Sequence, residues 1–284
     1  MYFALSIAAI AIVLLGVATL WRWSDHHADY VEKSRLIALQ PDRPPQFKLS
    51  MIADLPEPAQ RYFKFTIAPD TPLLTVANIR MSGQFSLGTK EVPRYMKMSA
   101  DQTLASPYGF IWKMRAARRA VHLSGSDTGR WTRFWLMGLT PVARLDQSPD
   151  HARSAFGRAV AESVFWTPAA LLPGPGVTWE PIDTDSARVI ISHASFTQEV
   201  TITVDSAGRP IIIQFPRWSD ANPQKIYQLQ PFGGHLSKFK TYQGFTVPTR
   251  VEAGNHFGTD IYFPFFKIDV SSVVYPTVAT QKKQ

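Results

Sequence analysis

The first 21 residues, MYFALSIAAIAIVLLGVATLW, contain no charged side chain, and no other feature restricts the chain so strongly. Coiled as a helix at about 1.5 Å per residue, such a run spans roughly 30 Å, the thickness of a bilayer's hydrocarbon core. Tyr2 and Phe3 at one end and Trp21 and Trp23 at the other are suited to the two membrane interfaces. A cleaved signal peptide would also begin with an apolar run. Here, however, no Lys or Arg precedes it, and it is longer than a usual signal-peptide core. Residues 1–23 are therefore expected to be a retained transmembrane anchor. The first cations, Arg22, Lys33 and Arg35, follow the run, which taken literally would hold the rest of the chain in the cytoplasm. Short N-terminal anchors commonly carry exported domains, and the expectation is a single-pass protein with its folded part outside the cytoplasm. Asp25, Asp29 and Glu32 count for little in that rule.

The remainder can build a core, since 45% of the 284 residues are hydrophobic. Charged residues make up only 18%, and 22 prolines outnumber 16 glycines, a mixture that suggests extended strands joined by rigid turns. A net charge of +8 favours anionic partners such as lipid head groups, acidic polysaccharide or nucleic acid. The absence of cysteine excludes disulfides, thiolate nucleophiles, Cys-ligated zinc, iron–sulfur clusters and lipidation at an N-terminal Cys.

Beyond the anchor, residues 24–50 read as a juxtamembrane helix and a stiff linker, QPDRPPQF. Residues 51–276 form one β-rich domain, and 277–284 a basic tail. In ADLPEPAQRYFKFTI, Asp54 is placed to cap a short helix whose Ala59, Tyr62 and Phe63 share a face. From Thr75 the period becomes two: Phe110, Trp112 and Met114 fall on one face of a strand, and Lys113 and Arg115 on the other. RAVHLSGSDTGRWTRFWLMGL continues the alternation around a Gly-Ser-Asp turn. SPDHARSAFGRAVAESVFW has helical spacing, with Pro149 at its start and Asp150 in its first turn. Strand patterns then resume to Tyr275, with a turn at Gly244 and with Pro248 and Pro264 marking edges or strand starts. Runs of strands with few helices predict an α+β fold, mainly antiparallel: a curved sheet or incomplete barrel with helices packed in its concavity.

The phrases LPEPAQRYFKFTI, RMSGQF, SPYGFIWKMR, HLSGSDTGRW, AESVFWTPAALLP with VTWEPID, and GGHLSKFKTYQGFTVPTRVEAG, spread in order from Leu55 to Tyr275, resemble a bacterial family of unknown function. The resemblance implies a membrane-anchored or exported β-rich protein, with a distant architectural likeness to curved-sheet lipoprotein carriers. It assigns no catalytic residue.

The chemistry legible in the residues is sparse. No G-x-S-x-G elbow, H-E-x-x-H pair, phosphate loop or dinucleotide fingerprint is present, so no cofactor and no metal site is expected. His122, Ser124 and Ser126 alternate onto one face with Asp127 in the turn, where Asp and Ser side chains ordinarily bond backbone amides. Arginines interleaved with Trp112, Trp131 and Trp135 could stack a single-stranded nucleic acid, but an anchored chain makes that partner unfavoured. The residues best account for a site holding a lipid or other amphipathic ligand: Phe110, Trp112, Trp131 and Trp166 for the apolar part, Arg115 or Arg133 at the rim, and Glu162 among the aromatics. The competing structural reading is that these aromatics fill a core. The functional expectation is a non-enzymatic envelope protein that binds such a ligand or an envelope partner. The alternative is a hydrolase or transferase acting on an envelope lipid or glycan, with Glu162 as general acid or base, Asp127 as its partner and His122 nearby. Because a carboxylate is disfavoured in the last turn of a helix, Glu162 is expected to face a specific donor.

Overall fold

The computed structural model describes residues 2–146 and 148–277; the basic tail expected at 277–284 lies, from 278 on, outside the described residues. A helix, α1 (Tyr2–Ile37), is followed by α2 (Glu57–Thr66) and six strands: β1 (Val76–Ser86), β2 (Tyr95–Ala105), β3 (Gly109–Arg118), β4 (Val121–Thr128), β5 (Trp131–Leu136) and β6 (Thr140–Asp146). Then comes α3 (Pro149–Trp166), and after it β7 (Val177–Pro181), β8 (Ser186–His193), β9 (Phe196–Val204), β10 (Pro210–Ser219), β11 (Gln228–Tyr242), β12 (Phe245–Asn255) and β13 (Phe263–Val274).

All thirteen strands belong to one antiparallel, curved open sheet in the order β6-β5-β4-β3-β2-β1-β13-β12-β11-β10-β9-β8-β7. The expected fold class is borne out. The two edges, β6 and β7, are neighbours in sequence, and the chain between them is α3. That helix packs on β9, β10 and β12 from one half of the sheet and on β2 and β3 from the other. It is buried on nearly every side, from His151 to Trp166. Its mixed sequence, with Arg153, Arg158 and Glu162 among Ala, Val and Phe, is enclosed by the curved sheet, which leaves only Arg153 exposed between His151 and Trp166. Alternation places Phe110, Trp112 and Met114 on the concave face with the main core, and Ile111 on the convex face with Leu36, Val76 and Ala105.

Several local expectations are corrected. Asp54 does not cap α2, whose N-cap position is Pro56 and which has no side-chain cap; Pro58, in the first turn, suits the start because it has no N–H to leave unpaired. At α3 the cap is Ser148, whose hydroxyl accepts from the His151 amide. The turn expected at Gly-Ser-Asp falls later: β4 runs through Asp127 to Thr128, with Asp127 opposite Thr132 of β5. Gly125 marks close strand contact rather than a bend, since a Cβ there would fall 2.0 Å from the Arg133 carbonyl oxygen. Pro248 stands inside central strand β12, opposite Phe239, rather than at an edge.

The juxtamembrane segment is continuous with the apolar run. One helix, long and apolar enough to cross a membrane, extends without a break to Ile37, and its second half lies against the convex face. Asp25, Asp29 and Glu32, buried at one stripe of that helix, meet the sheet's cations. Asp25 accepts from Arg144 at 2.8 Å, from Trp135 Nε1 at 2.8 Å and from Arg133 at 3.3 Å. Asp29 pairs with Lys113 at 3.1 Å. Glu32 pairs with Arg35 at 2.8 Å and lies 3.9 Å from Arg130.

Candidate functional site

Between α3 and the concave faces of both halves of the sheet lies a cavity of ≈ 530 Å³. Strand alternation supplies Trp112, Met114 and Phe134 from one side and Phe215, Val251 and Phe266 from the other, while α3 contributes Ala161, Phe165 and Trp166. The volume lies in the range of small-molecule and lipid sites, and its wall is mostly apolar.

One polar cluster interrupts that wall. Arg158 of α3 donates from Nε to Glu162 Oε1 at 2.7 Å and from Nη1 to Asp127 Oδ2 at 2.7 Å. Its Nη2 donates to Gln102 Oε1 at 3.3 Å, and Gln102 Nε2 donates to the second oxygen of Glu162. The guanidinium lies 4.3 Å from the Phe110 ring centroid and 5.1 Å from that of Trp112. Asp127 Oδ1 accepts from the Thr132 hydroxyl at 2.5 Å, and His151 Nε2 lies 3.0 Å from that hydroxyl. Burial raises the Asp127 pKa, but the His151 hydrogen bond, the Arg158 charge and the Thr132 hydroxyl outweigh it and hold the carboxyl below its ordinary value. For Arg158 burial works against the cation, and the two carboxylates beside it more than compensate, raising its pKa.

Arg217 of β10 also lines the cavity, and among the described residues no carboxylate pairs with it. Its Nε is buried without an acceptor, and its guanidinium lies 4.8 Å from the Phe232 ring centroid. Burial, followed by repulsion from Arg158, lowers its pKa to about 10, with Asp127 and Glu162 acting in the opposite direction. Two further lining side chains, Trp112 and Trp166, keep buried indole N–H groups without an acceptor among the described residues.

The sequence-derived candidates divide between the two faces. Trp112, Glu162, Trp166 and Asp127 line the cavity, and Phe110 is fully buried beneath Arg158. Trp131 and Arg133 face the other way: the Trp131 indole donates to Ser126, Arg133 stacks 4.5 Å above its ring, and Arg133 reaches Asp25 of α1. Arg115 and His122 share a shallow convex groove with Arg22 and Lys97. Arg115 and Arg133 therefore stand on the convex face, away from this cavity, whose lining cations are Arg158 and Arg217, and His122 is not part of the concave cluster. The donor opposite Glu162 is Arg158, one helical turn before it. Sequence reading missed Gln102, Thr132, His151, Arg158 and Arg217. Only Arg158 carried a signal, its spacing of four from Glu162 on a helix.

Asp127 and Glu162 do meet, on one guanidinium. The Thr132 hydroxyl donates to Asp127 at 2.5 Å and lies 3.0 Å from His151 Nε2, whose role as donor or acceptor depends on its tautomer. Among the described residues no group of three or more His, Asp or Glu side chains could hold a metal ion.

The profile of one protein family matches residues 45–268, about four-fifths of the chain. The chain belongs to DUF6544, a family of unknown function. No curated protein matches it. Among solved structures, a LolA superfamily protein from Nitrosomonas europaea is similar at 13% identity and a TM-score of 0.40, covering 78% of this chain and 93% of that one. A domain described as an outer membrane lipoprotein-sorting protein, from Vibrio parahaemolyticus, is similar at 11% identity and a TM-score of 0.36, covering 81% and 92%. Likenesses at that level do not say what a DUF6544 chain binds.

Proposed function

We propose that this protein is a non-enzymatic, membrane-tethered holder of an amphipathic ligand. The ligand's apolar part occupies the concave cavity and its polar group, an acceptor of hydrogen bonds, meets Arg217. One observation carries this reading: the mostly apolar wall of a cavity of ≈ 530 Å³ includes a cation, Arg217, that no carboxylate pairs among the described residues. Hydrogen bonds to a charged group are the strong ones, so a ligand carrying a carboxylate or phosphate would be held there by more than packing. The apolar helix α1 supports tethering, with the folded part in the cell envelope outside the cytoplasm. The test is mass spectrometry of the full chain purified in mild detergent. An anionic lipid or similar amphiphile is expected to co-purify with the native protein and to be lost from Ala161→Phe, which fills the cavity; protein free of any such molecule refutes the reading.

The convergence of Asp127 and Glu162 supports a second reading, an enzyme acting on an envelope lipid or glycan. Its test is turnover of such a substrate that Glu162→Gln abolishes while leaving the fold unchanged. The occupation of both carboxylates by Arg158 favours the first.

A further inference from the structure

The contacts of α1 fix which end of the sheet faces the anchor. Leu36 packs beside Ile111 near the start of β3, Asp29 reaches Lys113 farther along it, and Arg22 donates from Nη2 to Ser124 Oγ at 3.0 Å. Trp21, which ends the uncharged run, meets the Trp135 ring edge-on at 5.6 Å, and Arg144 lies 4.5 Å from its own ring centroid. From Trp135, β5 continues toward the anchor into the turn at 137–139. At about 3.3 Å per strand residue and about 1.5 Å per helical residue, Met137 stands roughly level with Val17, inside the uncharged run.

The side chains at that level have the chemistry of a membrane interface. Met137 and Leu139 are each 55% exposed and Val121, after the neighbouring β3–β4 turn, 48%. Arg22, Lys97 and Arg115 share the convex groove, and Arg118 ends β3 with Arg119 following in the β3–β4 turn. None of these five cations has a carboxylate partner among the described residues, although their neighbours on the same face, Lys113, Arg133 and Arg144, are all paired to α1. The cavity's mouth lies there too. Of its lining side chains, Leu87 and Val142 are strongly exposed, and Val142 directly follows Pro141, the register partner of Trp135.

We propose that this rim, the tips at Val121, Met137 and Leu139 with the unpaired cations behind them, rests on the anionic surface of the bilayer that α1 spans, so that the cavity opens onto lipid. The inference relies on α1 as a retained anchor and on the cavity as an amphiphile site. Apolar tips backed by Arg and Lys match an acyl–headgroup boundary, where the tips enter the hydrocarbon and the cations meet phosphates. The unbroken helix holds the rim at that height without a flexible linker. A ligand would then pass between bilayer and cavity without crossing water.

The chain has no cysteine, so single-cysteine variants can be labelled cleanly. The full chain carrying Leu139→Cys, Val13→Cys or Tyr108→Cys would be labelled with a polarity-sensitive dye and placed in nanodiscs containing spin-labelled lipid, with phosphatidylglycerol or phosphatidylcholine as host. Tyr108, also exposed, lies in the β2–β3 hairpin at the opposite end. In phosphatidylglycerol, quenching at 139 is expected to exceed that at 108 at least threefold, and to fall about twofold in phosphatidylcholine or with Arg118→Glu/Arg119→Glu. Quenching at 139 no greater than at 108 overturns the proposal and leaves the rim free for a protein partner. An unquenched label at 13 removes the anchor and the proposal with it. The lipid content of the same samples separates the two readings: a quenched rim on a chain with no cavity-bound lipid refutes the carrier alone, whereas bound lipid with an unquenched 139 refutes the rim alone.

Discussion

Replacing Arg158 with methionine isolates the energetic role of the cavity's polar cluster. Methionine keeps much of the side chain's volume against Phe110 and Trp112 but removes the one cation shared by Asp127 and Glu162. Breaking a buried ion pair by deleting one partner costs about 3–5 kcal/mol. Arg158 retains 18% side-chain exposure, and Thr132 still donates to Asp127 and Gln102 to Glu162, so the lower end, about 3 kcal/mol, applies. At about 2–4 °C per kcal/mol for a domain of this size, the melting temperature should fall by roughly 6–12 °C at neutral pH. The pH dependence is diagnostic. In the native protein the Asp127 pKa is lowered, so its contribution is fully present above the ordinary aspartate pKa and is lost as pH falls through the depressed value. In Arg158→Met the loss of the neighbouring charge lets burial raise that pKa above its native value, creating a penalty at neutral pH that protonation relieves on acidification. The gap between the two proteins should therefore narrow steadily from pH 7.5 to pH 4.5 in thermal melts of detergent-solubilised chain. The triple variant Arg158→Met/Asp127→Asn/Glu162→Gln should regain most of the loss at pH 7.5, because no buried charge is left unpaired. A single variant as stable as the native protein, or a triple variant no better than the single, would refute the reasoning.

Three other perturbations follow from the same geometry. Arg217→Met removes a cation whose pKa burial depresses to about 10; apo protein should be unchanged or stabilised by about 1 kcal/mol, while stabilisation by an anionic amphiphile falls at least tenfold in titrations followed by melting temperature. Ala161→Phe, on the cavity wall, should abolish co-purification of the ligand while lowering the melting temperature by a few degrees at most, because the ring enters open volume rather than a packed core. Asp25→Ala removes the acceptor of Arg133, Arg144 and the Trp135 indole and should loosen the second half of α1 by about 2–3 kcal/mol, read as faster amide exchange over residues 22–36 with β9 and β10 unaffected.

The sheet was legible because alternation survives in single strands: Phe110, Trp112 and Met114 were assigned to one face and Lys113 and Arg115 to the other, as they stand. Which face is concave was not legible, because that depends on register across strands. Within β5, Trp131, Arg133 and Trp135 outrank Thr132 and Phe134 in aromatic and cationic content, yet it is Thr132 and Phe134 that line the cavity. Asp127 was assigned to a turn because Gly125 and Ser126 have turn composition, whereas Gly125 serves close approach to β5. Asp25, Asp29 and Glu32 entered the sequence reading only as charge near a membrane. Their spacing of four and three, one stripe of a helix, was the visible sign of a docking face. Arg217 has no local signal at all; it stands out only because the cavity's carboxylates, Asp127 and Glu162, pair with Arg158 instead.

The cavity itself has a cause in α3. Gly157 faces β9, where a Cβ would fall 2.6 Å from the Gln198 side-chain oxygen. The helix lies close to β9 and β10, its most extensive contacts among the strands, and stands away from β4 and β5. A gap of that kind in an apolar core would ordinarily collapse, since side chains lining a void lose their packing partners. Arg158 opposes the collapse: it crosses from the helix to Asp127 on β4, is flanked by Phe110 and Trp112, and is held at its base by Glu162 and Gln102. A methionine or leucine there could fold back along the helix, whereas a guanidinium bound at both ends fixes the separation between helix and strand. Glu162, poorly placed by the helix dipole, is stabilised by the same strut. The two carboxylates that resemble an acid–base pair in the sequence are, in this arrangement, the anchors that hold the cavity open.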